Sequence, residues 1–398
     1  MKYLKKFDRH ADYEAYKNGQ DYLTPNVSWC VDLDEVHFNK YVRDYSKEYF
    51  TIEALENGTI SFNIWESMGT EYITSISYST DNGETWTTTN NTNNKSEHLT
   101  INVNVNEGDK VLWKGDAQQM GYYDTDDYGD SLGSFFSSTS EFNVYGNIMS
   151  LLYGDNFYGK TVLEYDSQFS YLFSDYNEEN ECNVVNAENL SLPATILASN
   201  CYGGMFNGCT SLTTAPELHA TTLAHNCCNY MFFNCTSLTT APELPAITLA
   251  DSCYDSMFAG CTSLTTAPEL PATILASNCY GSMFNGCTSL TTAPELPAIT
   301  LADSCYYSMF LNCTGLTTAP ELPATILTSN CYGSMFNGCT RLNYIKAMFT
   351  TTPSISYTLS WVINVSSTGT FVKNSAATWN ESGVNGVPTG WTIETASA

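Results

Sequence analysis

Twelve of the fifteen cysteines in this chain fall into two series that both step by 26 residues. One runs Cys201, Cys227, Cys253, Cys279, Cys305, Cys331; the other runs Cys209, Cys235, Cys261, Cys287, Cys313, Cys339. Around them lies a segment copied almost unchanged, as in "CYGSMFNGCTSLTTAPELPATILA", which begins at Cys279. A unit this short cannot bury its own apolar residues. It must stack on its neighbours, so roughly half of the chain has to form a one-dimensional array of coils.

Position by position, Cys279, Met283, Phe284 and Cys287 sit at offsets that fit one face of a short helix. Gly286 then supplies a turn. "SLTTAPEL" reads as a short strand with Leu290 and Ala293 inward, Thr291 and Thr292 outward, and Pro294 ending it for want of an N–H. "PATILA" and its variants return the chain, with Ile299 and its equivalents expected in the core. A 26-residue period with Leu and Cys at fixed offsets predicts a leucine-rich-repeat solenoid. "MFNGCTSLTTAPELP" resembles the BspA-like leucine-rich repeats of gut and oral Bacteroidetes and of their phages. The resemblance spans residues 190–342 and departs from the family where "TTAPEL" replaces its Ile-rich strand. "FSYLFSDYNEENECNVVNAENLSLPATILA" reads as a degenerate first coil, with Leu172 and Phe173 standing where Met205 and Phe206 stand in the next.

On the helical reading, cysteines eight positions apart are separated by roughly 12 Å, beyond the ~7 Å Cα separation that a disulfide allows. The repeat cysteines are therefore expected to be buried free thiols. A bond between neighbouring rungs is an alternative that a reducing compartment disfavours. Metal binding is another, although C-x7-C is not a zinc spacing and no C-x-x-C occurs. Cys30, Cys182 and Cys228 lie outside both series.

The expected fold class is mixed β and α/β, in four parts. Residues 1–46 form a helix-hairpin docking unit, with Asp8 capping a helix that ends at Gly19 and "NVSWCVD" and "EVHFN" pairing around Leu33 and Asp34. This opening resembles the N-termini of structural proteins from Bacteroides phages. Residues 47–145 read as an antiparallel β domain, sandwich-like and immunoglobulin-like, from the alternating runs "TISFNIW", "ITSISYS", "LTINVNV" and "KVLWKG". Residues 146–345 hold the solenoid with its degenerate first coil. Residues 346–398 form an aromatic cap in which Trp361, Phe371, Trp379 and Trp391 close its open end. Within the β domain, Ser79, Asp81, Gly83 and Trp86 of "STDNGETW" match the Asp-box hairpin found in sialidases, here in one copy, with a structural role expected. The acidic loop "YYDTDDYGD" carries Asp124, Asp126, Asp127 and Asp130, which could hold calcium but read more simply as a solvated turn.

Acidic residues outnumber basic ones by 42 to 15, a net charge of −27. That field repels phosphate backbones, so nucleic acid is not an expected partner, and anionic membranes are disfavoured too. No apolar run reaches membrane-spanning length, and no secretory signal is expected, since Asp8, Arg9 and His10 stand where its apolar region would begin. The histidines (His10, His37, His98, His219, His225) lie in no catalytic motif, so no enzyme, catalytic residue, cofactor or metal is expected. One repeated feature draws attention to the surface. Glu217, Glu243, Glu269, Glu295 and Glu321 recur at one position of successive coils, and Tyr254, Tyr280 and Tyr306 at another. These are the candidate ligand-binding residues, the glutamates as a stripe for a cationic or hydroxyl-rich ligand; the plainer alternative is that the glutamates splay into water and were copied with the repeat. The expected function is non-enzymatic adhesion by a phage fibre or decoration protein on the virion surface. It would dock to other virion proteins through the N-terminal unit, contact a host surface protein or glycan, and self-associate as a homo-oligomer. A bacterial cell-surface adhesin is the alternative, and a sialidase-like glycan enzyme the third.

Overall fold

A computed structural model describes residues 3–7, 29–33, 44–64, 73–90, 99–118, 120–123, 131–174 and 182–396. The chain divides into two units, Met1–Glu48 and Tyr49–Ala398. In the first, strand β1 (Tyr3–Phe7) pairs antiparallel with β2 (Trp29–Leu33), Tyr3 opposite Leu33 and Phe7 opposite Trp29. The anticipated strand after "NVSW" is therefore present, but its partner is the lysine-bearing segment "YLKKF". The expected helix over 8–19 and the "EVHFN" strand lie outside the described residues. A single 3-10 turn, Tyr45–Lys47, closes the unit, with the Asp44 carboxylate accepting from the Ser46 N–H at 3.2 Å.

The second unit opens with two antiparallel sheets. Strands β3 (Phe50–Ala54), β4 (Gly58–Ile64), β5 (Ile73–Ser79), β6 (Thr87–Asn90), β7 (Leu99–Val105) and β8 (Lys110–Ala117) are followed by the short pair β9 (Gly121–Tyr123) and β10 (Ser131–Gly133), then β11 (Phe135–Ser138) and β12 (Phe142–Asn147). One sheet has the order β11-β4-β7; the other contains β12-β3-β8-β5-β6. Period-two alternation decides which residues meet between them. Ile60, Phe62 and Ile64 of β4 point inward, as do Ile101, Val103 and Val105 of β7. They face Phe50, Val111 and Trp113, with Phe62 4.5 Å from Phe136 and 6.0 Å from Trp113 between ring centroids.

This core does not stop at the edge of the sheets. Helix α1 (Ser150–Tyr153) follows, and β12 accepts two parallel partners from the start of the repeats, β13 (Val184–Asn186) and β14 (Leu190–Ser191). Phe136 stacks on Phe173, and Phe173 on Phe206. From Phe206 one ring per coil continues through Phe232, Phe258, Phe284, Phe310 and Phe336 at 5.5–5.9 Å. A single aromatic spine thus joins the sheets to the repeats.

The repeats contain no helix, and this overturns the expected leucine-rich-repeat solenoid and the helical share of the fold class. Among the described residues α1 is the one α-helix, and almost everything else regular is strand. The reason lies in every fourth residue. Asn278 (φ 56°), Ser282 (φ 50°) and Gly286 (φ 75°) occupy the left-handed region, and the same positions do so in the other coils. A left-handed residue each four positions prevents i→i−4 bonding. The N–H groups divide instead into two sets. Gly281, Asn285 and Cys287 donate three residues back within the coil, to Asn278, Ser282 and Phe284 at 2.9–3.0 Å. Tyr280, Ser282, Phe284 and Gly286 donate to the next coil, at Cys305, Tyr307, Met309 and Leu311, over 2.7–3.1 Å. Each tight turn points two consecutive side chains inward, so Cys279–Tyr280 and Met283–Phe284 are buried as pairs.

The cysteines fill this core. Cys287 Sγ donates to the Phe258 carbonyl at 3.2 Å and Cys313 Sγ to that of Phe284 at 3.0 Å, so the second series ties each coil to the one before. Burial pushes these thiols up, Cys261 to about 12 and Cys287 well above the ordinary range, which removes their nucleophilicity. One pair departs from the free-thiol expectation. Cys182 and Cys209, on neighbouring rungs, form a disulfide. Cys228 takes the place that tyrosine holds in other coils and is buried there.

A second period of two coils, 52 residues, overlies the first: "AITLADS" alternates with "ATILASN" or its close variant. Asp251 Oδ1 accepts from the Ser277 N–H at 3.0 Å, and Asp303 Oδ1 from that of Ser329 at 3.1 Å. Alternation with serine places these carboxylates two coils apart, where stacking them on every coil would set like charges at strand spacing.

The tail begins as one more coil, with Phe336 N–H donating to Trp361 at 2.8 Å and left-handed Ser360 and Asn364. Strands β15 (Tyr344–Ala347), β16 (Thr370–Lys373) and β17 (Thr392–Thr395) then form a parallel sheet. Trp361, Phe371, Trp379 and Trp391 are buried, and the three indole N–H groups donate to the carbonyls of Gly386, Phe349 and Ser366.

Candidate functional site

The most regular outward face comes from "PELPAI". In this extended stretch Glu295 points out, Leu296 in, Pro297 out, Ala298 in and Ile299 out. Stacking converts the alternation into rows. Glu217, Glu243, Glu269, Glu295 and Glu321 are all exposed and form the glutamate column read from the sequence. Beside it run prolines Pro245, Pro271 and Pro297, then a row of isoleucines. Ile247 is 64 % exposed, Ile274 60 %, Ile299 71 % and Ile326 70 %. The expectation that Ile299 and its equivalents are core was wrong; Leu301 and Leu327, two and one residues after the isoleucine of their coils, carry the burial. Ile247 and Ile299 stand one residue after the buried alanine of their coils and Ile274 and Ile326 two, and both positions face out, so the row zigzags between two adjacent sites; hydrophobicity there was read as burial.

The tyrosines correct in the opposite sense. Tyr254, Tyr280 and Tyr306 are buried, stacked ring on ring with Tyr332 at 5.9–6.0 Å, and cannot meet a ligand. Burial holds their phenols well above the ordinary value.

The ends of the glutamate column meet basic side chains of the chain itself. Lys346 Nζ lies 2.9 Å from Glu321 Oε2, and His219 Nε2 4.0 Å from Glu217 Oε2. Glu243, Glu269 and Glu295 make no ion pair among the described residues, and no Lys or Arg occurs between Lys160 and Arg341. Between successive coils the face dips into a notch lined by Pro268, Pro271, Pro294 and Pro297 together with Glu269 and Glu295. The next notch repeats it one coil on, between Glu295 and Glu321.

The Asp-box forms the β5–β6 hairpin turn. Asp81 accepts from the Thr85 N–H at 2.9 Å and from the Ser79 hydroxyl at 2.6 Å, while the Gly83 N–H donates to Ser79 Oγ at 2.9 Å. Hydrogen bonds from Ser79 and then Thr85 hold the Asp81 carboxyl down to about 2. Trp86 packs edge-on to Tyr49, and Lys114 Nζ sits 4.1 Å over its ring while pairing with Asp155 at 2.7 Å. This local network is a turn lock. The acidic loop Asp124, Asp126, Asp127 and Asp130, with His10, His37 and His98, lies outside the described residues. Among those described, no group of three His, Cys, Asp or Glu could hold a metal ion, and no helix is long and apolar enough to cross a membrane.

No protein-family model, no curated protein and no solved structure matches this chain.

Proposed function

We propose that this is a non-enzymatic recognition protein, carried on the surface of a phage particle, whose stacked coils present the Glu–Pro–Ile face to the host. The observation that carries the reading is the isoleucine row. Folding does not require isoleucine there, because the coil that holds Thr221 and Thr222 at the same place stacks just as well. Keeping large apolar groups in water, coil after coil and beside an unpaired carboxylate row, is the pattern of a contact surface. The assignment to a particle rests on the phage-like character of the N-terminal sequence, which supplies a docking unit. Mass spectrometry and immunogold labelling of purified particles test it: stoichiometric presence with the repeats accessible to antibody supports it, and absence from particles refutes it. The Cys182–Cys209 disulfide favours a second reading, a bacterial surface adhesin, because such bonds persist in oxidising surroundings.

A further inference from the structure

We propose that the Glu–Pro–Ile face docks a basic amphipathic helix of a partner protein, with one lysine or arginine side chain entering the notch between each pair of successive glutamates. The inference rests on the reading of this face as the recognition surface and adds the chemistry of its partner.

Charge sets the class. The array from 161 to 340 holds no Lys or Arg, so the repeats of a second copy would bring glutamate against glutamate. A nucleic acid carries the same sign. The notch sets the group. Its prolines offer methylene surface to the stem of a long basic side chain, and Glu269 and Glu295, which line the same notch, take the charged head. Equivalent rings of successive coils lie 5.5–6.0 Å apart, which sets the scale for adjacent glutamates and lets one flexible cation meet both. The chain already shows the mode at the end of the column, where Lys346 lies on Glu321 at 2.9 Å.

Spacing sets the conformation. A helix advances about 5.4 Å per turn, so one basic residue per turn drifts from that coil spacing by less than about 2 Å over three coils, within the reach of a flexible side chain. A strand running along the stack repeats its face every ~6.7 Å and slips further, by about 2–4 Å over the same distance. A helix aligned with the stack also lays its next row of side chains, if apolar, along Ile247, Ile274, Ile299 and Ile326.

The test uses the full chain and two labelled synthetic helical peptides of identical composition. One carries lysine once per turn along one edge with leucine beside it; the other has the lysines scattered around the helix. Binding is followed by fluorescence anisotropy. The patterned peptide is expected to bind at least about tenfold more tightly than the scattered one, and Glu269→Gln/Glu295→Gln or Ile274→Ser/Ile299→Ser to remove most of that advantage. Equal binding of the two peptides overturns the proposal, as does tighter binding of an amine-bearing oligosaccharide. The peptide comparison on the unaltered protein decides the matter even if a variant fails to fold. If the patterned peptide fails while the isoleucine variant still loses attachment to host cells, the recognition reading stands and the helix-docking inference falls.

Discussion

Replacing Asp255 with asparagine should stabilise the protein at neutral pH and do nothing in acid. Asp255 sits where other coils carry Gly203, Asn229, Gly281, Tyr307 and Gly333, on the line of turns that packs coil against coil. Its carboxylate accepts from Asn278 Nδ2 at 3.2 Å and Ser256 Oγ at 3.3 Å, with no cation paired to it among the described residues. Burial raises its pKa from 3.8 to about 6, against a smaller opposing effect from the Ser256 bond. The folded value lies above the unfolded one, so below about pH 3.8 both states are protonated and nothing is lost. Between about 4 and 6 the unfolded chain ionises first, and stability falls as pH rises. Above about 6 the penalty is constant, at roughly 1–3 kcal/mol once water reaching the partly open site is allowed for. Asparagine is nearly isosteric and already serves at the equivalent position 229. Thermal unfolding from pH 3.5 to 8 is the assay. Wild type and Asp255→Asn should coincide in acid and diverge through pH 4–6, with the variant more stable at pH 7.5. A variant less stable at pH 7.5 than at pH 4, relative to wild type, would show that the carboxylate makes a favourable charged contact and refute the reasoning.

Three further outcomes follow from the stack. With the Cys182–Cys209 bond formed, protein unfolded without reductant should titrate thirteen thiols, rising to fifteen after reduction, and the native protein should react slowly; fifteen at the outset would remove the disulfide. Gly260→Ala and Gly286→Ala both place a side chain at positive φ, at a cost of about 1 kcal/mol each. A methyl at Gly260 also overlaps Asn234 Oδ1, whereas at Gly286 the nearest atoms are 3.8 Å away, so denaturation should rank Gly260→Ala as clearly the worse. Deleting two coils should be tolerated better per coil than deleting one: removing the coil that holds Asp303 strips Ser329 N–H of its acceptor, about 1 kcal/mol, while removing the adjacent pair with Ser277 and Asp303 brings Asp251 onto Ser329.

Much of the architecture was legible before any coordinates, and what was not has identifiable causes. The four alternating runs of the β domain are strands β4, β5, β7 and β8, because period-two burial leaves an unambiguous trace. The repeat length and the burial of its cysteines were equally plain. The coil's backbone was not, since tight turns of four residues place Cys279, Met283 and Cys287 inward at the spacing a helix would use. The discriminating signals were Tyr280 buried next to Cys279, and Asn, Ser or Gly at every fourth position, which are the residues that accept a left-handed backbone. Strand β1 was missed because its lysines mask alternation. The glutamate column was legible as a repeated charge. The isoleucine row beside it was not, because its residues share the composition of a core and the alternation that buries Leu296 and Ala298 breaks after the alanine, leaving two consecutive residues exposed.

The proposed contact surface is the Glu–Pro–Ile face. Attachment of the purified protein to cells of the proposed host tests it most directly, comparing wild type, the Ile247/Ile274/Ile299/Ile326→Ser variant, and a control with changes confined to the exposed loop at Asn106 and Glu107. All four isoleucines are at least 60 % exposed, so the variant should fold with an unchanged circular dichroism spectrum. Loss of attachment by the isoleucine variant alone is the predicted result. Attachment that survives it undiminished would contradict the claim.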